Sequence, residues 1–172
     1  MCMLASFHIM KWKGSRRIVD TLIEQFSQRI REARYKGESL WLLGGGSKSF
    51  YGGDSVGEPL KVFDYRGIID YEPSELILSA RCGTPLREIE DLLKAHGQVL
   101  AFEPPYFGEN ATLGGTVACG FSGPRRASSG SLRDHLLGVR IIDGQGQDLR
   151  FGGRVMKNVA GYDVSRLMAG AL

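Results

Sequence analysis

The sequence has few cysteines and no apolar run of the length found in membrane proteins. Its 172 residues include Cys2, Cys82 and Cys119, which are far apart and show no CxxC spacing. An odd number of cysteines at such spacings does not indicate a disulfide framework and is typical of a reducing compartment. No apolar run reaches the roughly 20 residues that a membrane-spanning helix needs. These absences argue against a disulfide-stabilised fold and a membrane span, and they predict a cytoplasmic protein.

The sequence also lacks a large excess of charge of either sign. The formal net charge is +3, with 22 Lys and Arg against 19 Asp and Glu, an excess too small to indicate a nucleic-acid-binding surface. Hydrophobic residues make up 42% of the chain and charged residues 24%, so a globular fold is expected rather than disorder. Residues 1–17 carry their positive charges after a short apolar stretch, the reverse of a secretion signal. We expect an N-terminal extension there.

Helices and strands alternate over the first hundred residues. Apolar spacing predicts a helix over residues 18–35, capped by Asp20, and a second over residues 85–95. Pro85 is well suited to the first helical position, where no hydrogen bond is lost. The predicted strands cover residues 39–43, 60–63, 67–71, 75–81 and 98–101. This alternation predicts a small α/β lobe.

The chain changes character after residue 101. Residues 102–131 are mostly small residues and proline without a periodic apolar face, and so long a loop in a compact domain is commonly functional. Two strands, residues 136–142 and 147–151, follow and are joined by Asp-Gly-Gln-Gly, a hairpin signal. Asp163 is predicted to cap a final helix.

A first glycine segment, Gly44-Gly45-Gly46, follows the predicted strand over residues 39–43. Three glycines let a backbone approach a ligand closely, and successive N–H groups with Ser47, Lys48 and Ser49 form a potential anion site. A plain tight turn is the alternative. A Walker A loop is excluded because Ser47 precedes Lys48 and Leu43 occupies the outer glycine position. Phosphoryl transfer is therefore the least supported function.

The Rossmann fingerprint fails as well, because Ser49 occupies the position of its third glycine and Gly52-Gly53 follow where a helix is required. The first segment therefore predicts a phosphate-binding loop of another kind.

A second segment of small residues covers residues 111–124, ATLGGTVACGFSGP. A short helix beginning near Gly114 would point free N–H groups at a diphosphate. A small-residue helix packed tightly on a neighbour is the alternative. The two segments are about seventy residues apart, so the fold must bring them together for a shared cleft to form.

Four sequence blocks together carry a family resemblance. In order they are GGGSK followed by Tyr-Gly, then EPPxFGxxATLGG, then SGPRRAS, and finally VMKNVAGYDVSRLMAG. This order resembles the FAD-binding subunits of bacterial glycolate oxidases, which are flavoproteins of the vanillyl-alcohol-oxidase, or PCMH, type. The resemblance runs from about residue 18 to the end of the sequence.

The resemblance implies an α+β fold of two lobes with FAD between them. Lobe one would cover residues 18–105, and lobe two, with an antiparallel sheet, residues 106–172. In the family the last helix continues into a GTLG turn and a further strand, neither of which this sequence contains. We therefore expect an incomplete second lobe from a truncated chain, and weak FAD affinity unless another chain completes it.

The resemblance also implies a set of cofactor-binding residues. The pyrophosphate would lie on Gly44, Gly45, Gly46, Ser47, Lys48 and Ser49. The path of the flavin and diphosphate would be lined by Thr112, Gly114, Gly115, Thr116, Ala118, Gly120 and Ser122. Some relatives attach FAD through a histidine of the first loop, but the histidines here are His8, His96 and His135, so non-covalent FAD is expected.

The implied activity is oxidation of a 2-hydroxy acid such as glycolate, with FAD accepting a hydride equivalent. Electrons would pass to partners, a sister flavin subunit and an iron–sulfur subunit, which would hold the protein at the periphery of the inner membrane. A cofactor-free remnant or assembly piece without turnover is the alternative function.

No catalytic base and no metal site can be assigned from the sequence. His135, Arg125-Arg126 and Tyr162-Asp163 are better explained by local structure than by catalysis. Cys119 lies among small apolar residues and is expected to be a buried packing residue.

Overall fold

The computed structural model describes residues 16–153 and 163–171, with side chains from residue 21 onward. Four short strands follow the first helix, and a group of helices separates them from the last two strands. In order the elements are α1 (Arg16–Lys36), β1 (Leu40–Leu43), β2 (Glu58–Lys61), β3 (Ile68–Glu72), β4 (Ile77–Ala80), α2 (Leu86–Ala95), α3 (Leu113–Cys119), α4 (Arg126–Ser129), a 3₁₀ turn (Leu132–His135), β5 (Gly138–Ile142), β6 (Asp148–Gly152) and α5 (Val164–Leu167). The mixture of helices and sheets confirms the predicted α+β class.

Helix α1 buries the face that its apolar spacing predicts. Ile23, Phe26, Ile30 and Ala33 lie in the core. The predicted cap at Asp20 is wrong, because the helix already begins at Arg16. Residues 16–19 contain neither glycine nor proline, so nothing in the sequence prevents the helix from continuing N-terminally beyond Asp20.

The strands of the described residues form three two-stranded sheets. β1 and β2 are parallel, with Leu40 opposite Glu58, whereas β3–β4 and β5–β6 are antiparallel. β2 begins two residues before its predicted start because Glu58 N donates to Ser39 O and so joins the parallel ladder. The predicted hairpin over β5 and β6 is confirmed.

The predicted strand over residues 98–101 is wrong. Gln98 N donates to Leu93 O at the end of α2. The side chain of Gln98 accepts from Tyr71 Oη at 2.7 Å and donates to Pro73 O at 2.9 Å. Gln98 is therefore used to close the helix and to hold the β3–β4 turn, and it does not join a ladder.

The segment predicted as a long loop contains two short helices, α3 and α4. The first begins at Leu113, close to the predicted start near Gly114. Val117 of α3 is buried together with Leu86 and Ile89 of α2 and with Leu136. This packing fixes α3 against the rest of the core. No helix within the described ranges is long and apolar enough to cross a membrane.

Candidate functional site

The two glycine-rich segments lie directly against each other. A Cβ atom on Gly44 would lie 3.0 Å from Thr112 Oγ1, and one on Gly45 would lie 1.5 Å from Asn110 O. Real Cβ atoms do not approach a carbonyl oxygen so closely, so only glycine fits at residue 45. The two segments, although distant in the sequence, are thus in direct contact through their backbones.

The two segments line one groove with a volume of about 870 Å³. This volume lies at the upper end of the range of ligand pockets, about 300–1,000 Å³. The predicted site residues that line it are Gly44, Gly45, Gly46, Ser47, Lys48, Ser49, Thr112, Gly114, Gly115 and Ala118. The groove can therefore hold an extended ligand along both segments.

Three predicted site residues do not line the groove. Thr116 is fully buried behind its wall, and Gly120 is the left-handed cap of α3 and lies against Gly170. Ser122 Oγ accepts from Leu132 N at 2.9 Å. A direct contact of these three with a cofactor stays a prediction.

The expected free N–H groups at the start of α3 are already used within the protein. Leu113 N donates to Thr84 O, and Gly114 N donates to Cys82 O at 2.8 Å. Gly115 N donates to Thr112 Oγ1 at 3.3 Å. The prediction that these groups point unpaired at a diphosphate is therefore wrong, because the loop that carries Cys82 and Thr84 packs onto the beginning of the helix.

The first glycine segment, in contrast, has backbone N–H groups that are available to a ligand. In the part of the chain that the structure describes, no protein acceptor binds the N–H groups of Gly45, Gly46, Ser47 and Lys48. All four residues line the groove, and the φ of Gly46 is +70°. An anion-binding turn requires such donors without partners in the protein.

Lys48 places a cation in the same wall. The residue is only 9% exposed, and its Nζ lies 3.4 Å from Thr116 Oγ1. Among the described residues, no carboxylate forms an ion pair with it. Burial lowers the pKa of Lys48, and the neighbouring Cys119 opposes that shift. A buried ammonium without a counter-charge favours an anionic ligand.

Cys119 lines the groove beside Lys48. It is 7% exposed, and burial raises the pKa of its thiol although Lys48 acts in the opposite direction. A protonated, buried thiol is a poor nucleophile. This placement agrees with the packing role expected from its small apolar neighbours.

Several lining residues were not anticipated. Arg34 and Glu38 come from α1 and the turn after it, and Asp54 and Ser55 come from the loop before β2. The pair Gly52-Gly53 could have extended the first segment to Asp54. Nothing in the local sequence marks Arg34 or Glu38 as groove residues.

The residues that resemble catalytic groups are engaged elsewhere. Asp134 Oδ2 accepts from Ser131 N and Oγ, both at 2.8 Å, and His135 Nε2 lies 2.8 Å from Ser129 O. Both residues lie in the 3₁₀ turn that precedes β5. Arg125 pairs with Glu103 at 2.8 Å.

No histidine lines the groove within the described ranges, where the histidines are His96 and His135. No group of metal ligands is found in those ranges either. Asp163 accepts from Arg166 N and caps α5 as predicted, whereas Tyr162 and His8 lie outside the described residues.

Aromatic rings connect the outer ends of the two segments. The centroid of Phe50 lies 5.0 Å from that of Phe107, and Tyr51 lies 4.4 Å from Phe121. Phe107 and Phe121 are 6.0 Å apart. The rings hold the loop after Lys48 against the chain on either side of α3.

The sequence of this chain matches a family of cofactor-binding domains. Residues 21–152 fit the model described as FAD binding domain. Over 150 residues the chain is 54% identical to the glycolate oxidase subunit GlcE of Escherichia coli K12, which covers 87% of the chain and 42% of that protein. It is 28% identical over 150 residues to a D-lactate dehydrogenase of Archaeoglobus fulgidus, with 86% of the chain and 33% of that protein covered. The chain thus spans less than half the length of these relatives.

Solved structures show the same fold. Alkyldihydroxyacetonephosphate synthase superposes with a TM-score of 0.64 at 20% identity, over 86% of this chain and 29% of that one. Aclacinomycin oxidoreductase superposes with a TM-score of 0.55 at 21% identity, over 74% and 26%. At these identities the likeness concerns the fold alone, and it agrees with the predicted PCMH-type architecture.

Proposed function

The chain belongs to the FAD binding domain family, and on that premise we propose that it binds FAD non-covalently within a flavin subunit that oxidises a 2-hydroxy acid, with glycolate as the first candidate. The observation that carries this proposal is the groove between the two glycine segments, with unpaired backbone donors and the buried Lys48 on one wall. A dinucleotide with a central diphosphate has the length and the charge that this wall favours.

The residues of the groove would bind and orient the cofactor. The N–H groups of Gly45, Gly46 and Ser47 would donate to the diphosphate, and Lys48 would balance its charge. Thr112, Gly115 and Ala118 would form the opposite wall along which the flavin portion lies. When bound, the flavin supplies the redox chemistry by accepting a hydride equivalent from the substrate. No base of this chain is assigned to that step.

A non-covalent cofactor is supported by the composition of the groove. Neither His96 nor His135 lines it, and the first loop contains Ser47 and Lys48 in place of a histidine. His96 Nδ1 lies 3.0 Å from Leu92 O, at the end of α2. Acid precipitation of the loaded protein should therefore release all of the flavin into the supernatant.

The substrate class and the partners are proposed from the relatives. The names of the two curated relatives refer to glycolate and D-lactate, which share a hydroxyl group on the carbon next to a carboxylate. The word subunit in the first name supports an assembly with other chains. We propose a sister flavin subunit and an iron–sulfur subunit as electron-accepting partners, at the periphery of the inner membrane.

Flavin binding by the purified chain tests the proposal. Titration with FAD should quench flavin fluorescence to a defined stoichiometry and give a visible flavin absorbance after gel filtration. A Gly45→Val variant, which places a side chain against Asn110 O, is the control and should stay colourless. A wild-type chain that ignores FAD would support the alternative of a cofactor-free assembly piece. In the assembled complex, glycolate should reduce the flavin under anaerobic conditions, whereas acetate, which lacks the hydroxyl, should not.

A further inference from the structure

We propose that Thr116 is a positioning residue that acts through Lys48, because its hydroxyl holds the buried ammonium at the groove wall where the ammonium selects ligands that carry a diphosphate. This inference rests on the proposed FAD site and gives Thr116 a role that needs no direct contact with the ligand. It also identifies the diphosphate as the part of the ligand that Lys48 recognises.

Thr116 is connected to the groove through its contact with Lys48. The residue is 0% exposed and does not line the groove. Its main-chain N–H donates to Thr112 O within α3. Its Oγ1 accepts from Lys48 Nζ at 3.4 Å, and that is the polar contact of its side chain in the described structure. A change at Thr116 can therefore reach a ligand in the groove only by moving Lys48 or by disturbing packing.

The charge of Lys48 is not balanced within the described residues. Desolvation makes an unpaired buried ammonium costly, and Thr116 offers it a hydroxyl dipole but no negative charge. The first-turn N–H groups of α3 are used by Thr84, Cys82 and Thr112. Because this helix offers no free donors there, the diphosphate depends on the unpaired N–H groups of the first glycine segment and on the ammonium of Lys48, and of these only Lys48 carries a full positive charge.

Other charged groups in the groove do not take over this role. The titratable or charged lining residues besides Lys48 are Arg34, Glu38, Asp54, Cys82 and Cys119. Arg34 is exposed to solvent, which screens its charge, and burial raises the pKa of the Cys119 thiol, so that it stays uncharged near neutral pH. Two of the others are carboxylates that would repel an anion. Burial also lowers the pKa of Lys48, and a bound anion would raise it again. Affinity for an anionic ligand should therefore fall as the pH rises through the lowered pKa of free Lys48.

A double-mutant cycle separates positioning from packing. Thr116→Val keeps the shape and removes the hydroxyl, Thr116→Ser keeps the hydroxyl, and Lys48→Met removes the charge. The dissociation constant for FAD is measured for the wild type, the three single variants and the Thr116→Val/Lys48→Met double variant. Thermal unfolding identifies any variant that does not fold.

Thr116→Val should weaken FAD binding about fivefold to tenfold, as expected for the loss of one hydrogen bond of ordinary strength. Thr116→Ser, which keeps the hydroxyl, should bind FAD nearly as tightly as the wild type. In the Lys48→Met background the same change should have no effect. Lys48→Arg should flatten the decrease of affinity at high pH, because arginine stays protonated. Equal effects of Thr116→Val in both backgrounds would overturn the proposal, since they would show a packing role.

Inorganic diphosphate distinguishes this inference from the proposed function. If the wild type binds diphosphate with the same non-additive dependence on Thr116 and Lys48 but ignores FAD, the positioning pair stands and the flavin function fails. If FAD binds and the two changes are additive, the flavin function stands and the pair fails. If neither ligand binds, both proposals fail.

Discussion

A Cβ atom on Gly45 would lie 1.5 Å from the main-chain oxygen of Asn110, so the two walls of the groove meet with no space for a side chain. Asn110 lies two residues before the N-cap Thr112 of α3. The contact therefore couples the position of the first loop to that of α3. The groove depends on this approach and not only on the residues that face the ligand.

The first prediction concerns Gly45→Ala. The added methyl must displace Asn110 or the first loop, and we expect a loss of about 1–3 kcal/mol in the free energy of unfolding, the usual cost of overpacking. FAD affinity should fall more than tenfold because both walls shift. Urea unfolding and fluorescence titration measure the two effects. Gly52→Ala is the matched control, because a Cβ there has no neighbour within 4 Å; an equal loss in both variants would contradict the argument.

The second prediction concerns the ion pair between Arg140 and Asp148 in the β5–β6 hairpin. Arg140 Nε and Nη2 donate to the two carboxylate oxygens at 2.8 and 2.6 Å. These hydrogen bonds lower the pKa of Asp148 although burial opposes them. A lowered pKa in the folded state stabilises the protein above the unfolded value of about 3.9, and this contribution is lost as the pH falls through the folded pKa.

Asp148→Asn should therefore reduce the free energy of unfolding by about 1 kcal/mol at pH 7, near the upper limit for partly exposed pairs. The difference from the wild type should shrink as the pH falls from about 4, the value for the unfolded chain, through the lower pKa of the folded Asp148 carboxyl. Urea unfolding over a pH series measures both. The exposed Asp64 provides the control substitution Asp64→Asn, for which we expect little difference at either pH. A difference for Asp148→Asn that does not change with pH would contradict the electrostatic explanation.

The sequence predicted those elements whose signals are local. The apolar face of α1, the hairpin of β5 and β6 and the cap at Asp163 follow from spacing and turn residues within one element. The strand expected over residues 98–101 is absent because Gln98 binds Tyr71 and Pro73, which are more than twenty residues away. Such side-chain contacts across elements leave no periodic pattern in the sequence.

The candidate site, like the fold, was predictable only where its signal is local in the sequence. Glycine content identified both segments, but it could not show that Cys82 and Thr84 occupy the first N–H groups of α3. Nor could it show that Thr116 lies behind the wall and Lys48 within it. These distinctions depend on the side of α3 that faces the groove, which is set by packing against α2.

The third prediction concerns the reactivity of Cys119. Because burial raises the pKa of this thiol, little thiolate forms near pH 8, and we expect slow alkylation in the folded protein. Peptide mapping by mass spectrometry after short exposure to iodoacetamide should find Cys119 mostly unmodified, and fully modified after unfolding in urea. Bound FAD should slow the reaction further because Cys119 lines the groove. Cys82, 1% exposed, is the internal reference; alkylation of Cys119 at the rate of a free thiol would contradict its burial.

The last prediction concerns the ring of Phe121, which contacts both Tyr51 and Phe107. Each aromatic pair contributes about 0.5–1.5 kcal/mol beyond the area it buries, so Phe121→Ala should release the loop over residues 51–55. Part of that loop lines the groove, including Asp54 and Ser55. We expect faster amide hydrogen exchange in this loop and about threefold weaker FAD binding, an effect corresponding to roughly half of one such pair.

Phe50→Ala is the matched comparison for Phe121→Ala, since Phe50 contacts Phe107 but has no ring contact with Tyr51 among the described residues. Its loss should leave the contact between Tyr51 and Phe121 in place and the exchange of residues 51–55 nearly unchanged. Equal acceleration in the two variants would mean that Phe107 holds the loop. Acceleration in Phe121→Ala alone would locate the attachment at Tyr51, because that ring joins the loop after Lys48 directly to the residue that follows the cap of α3.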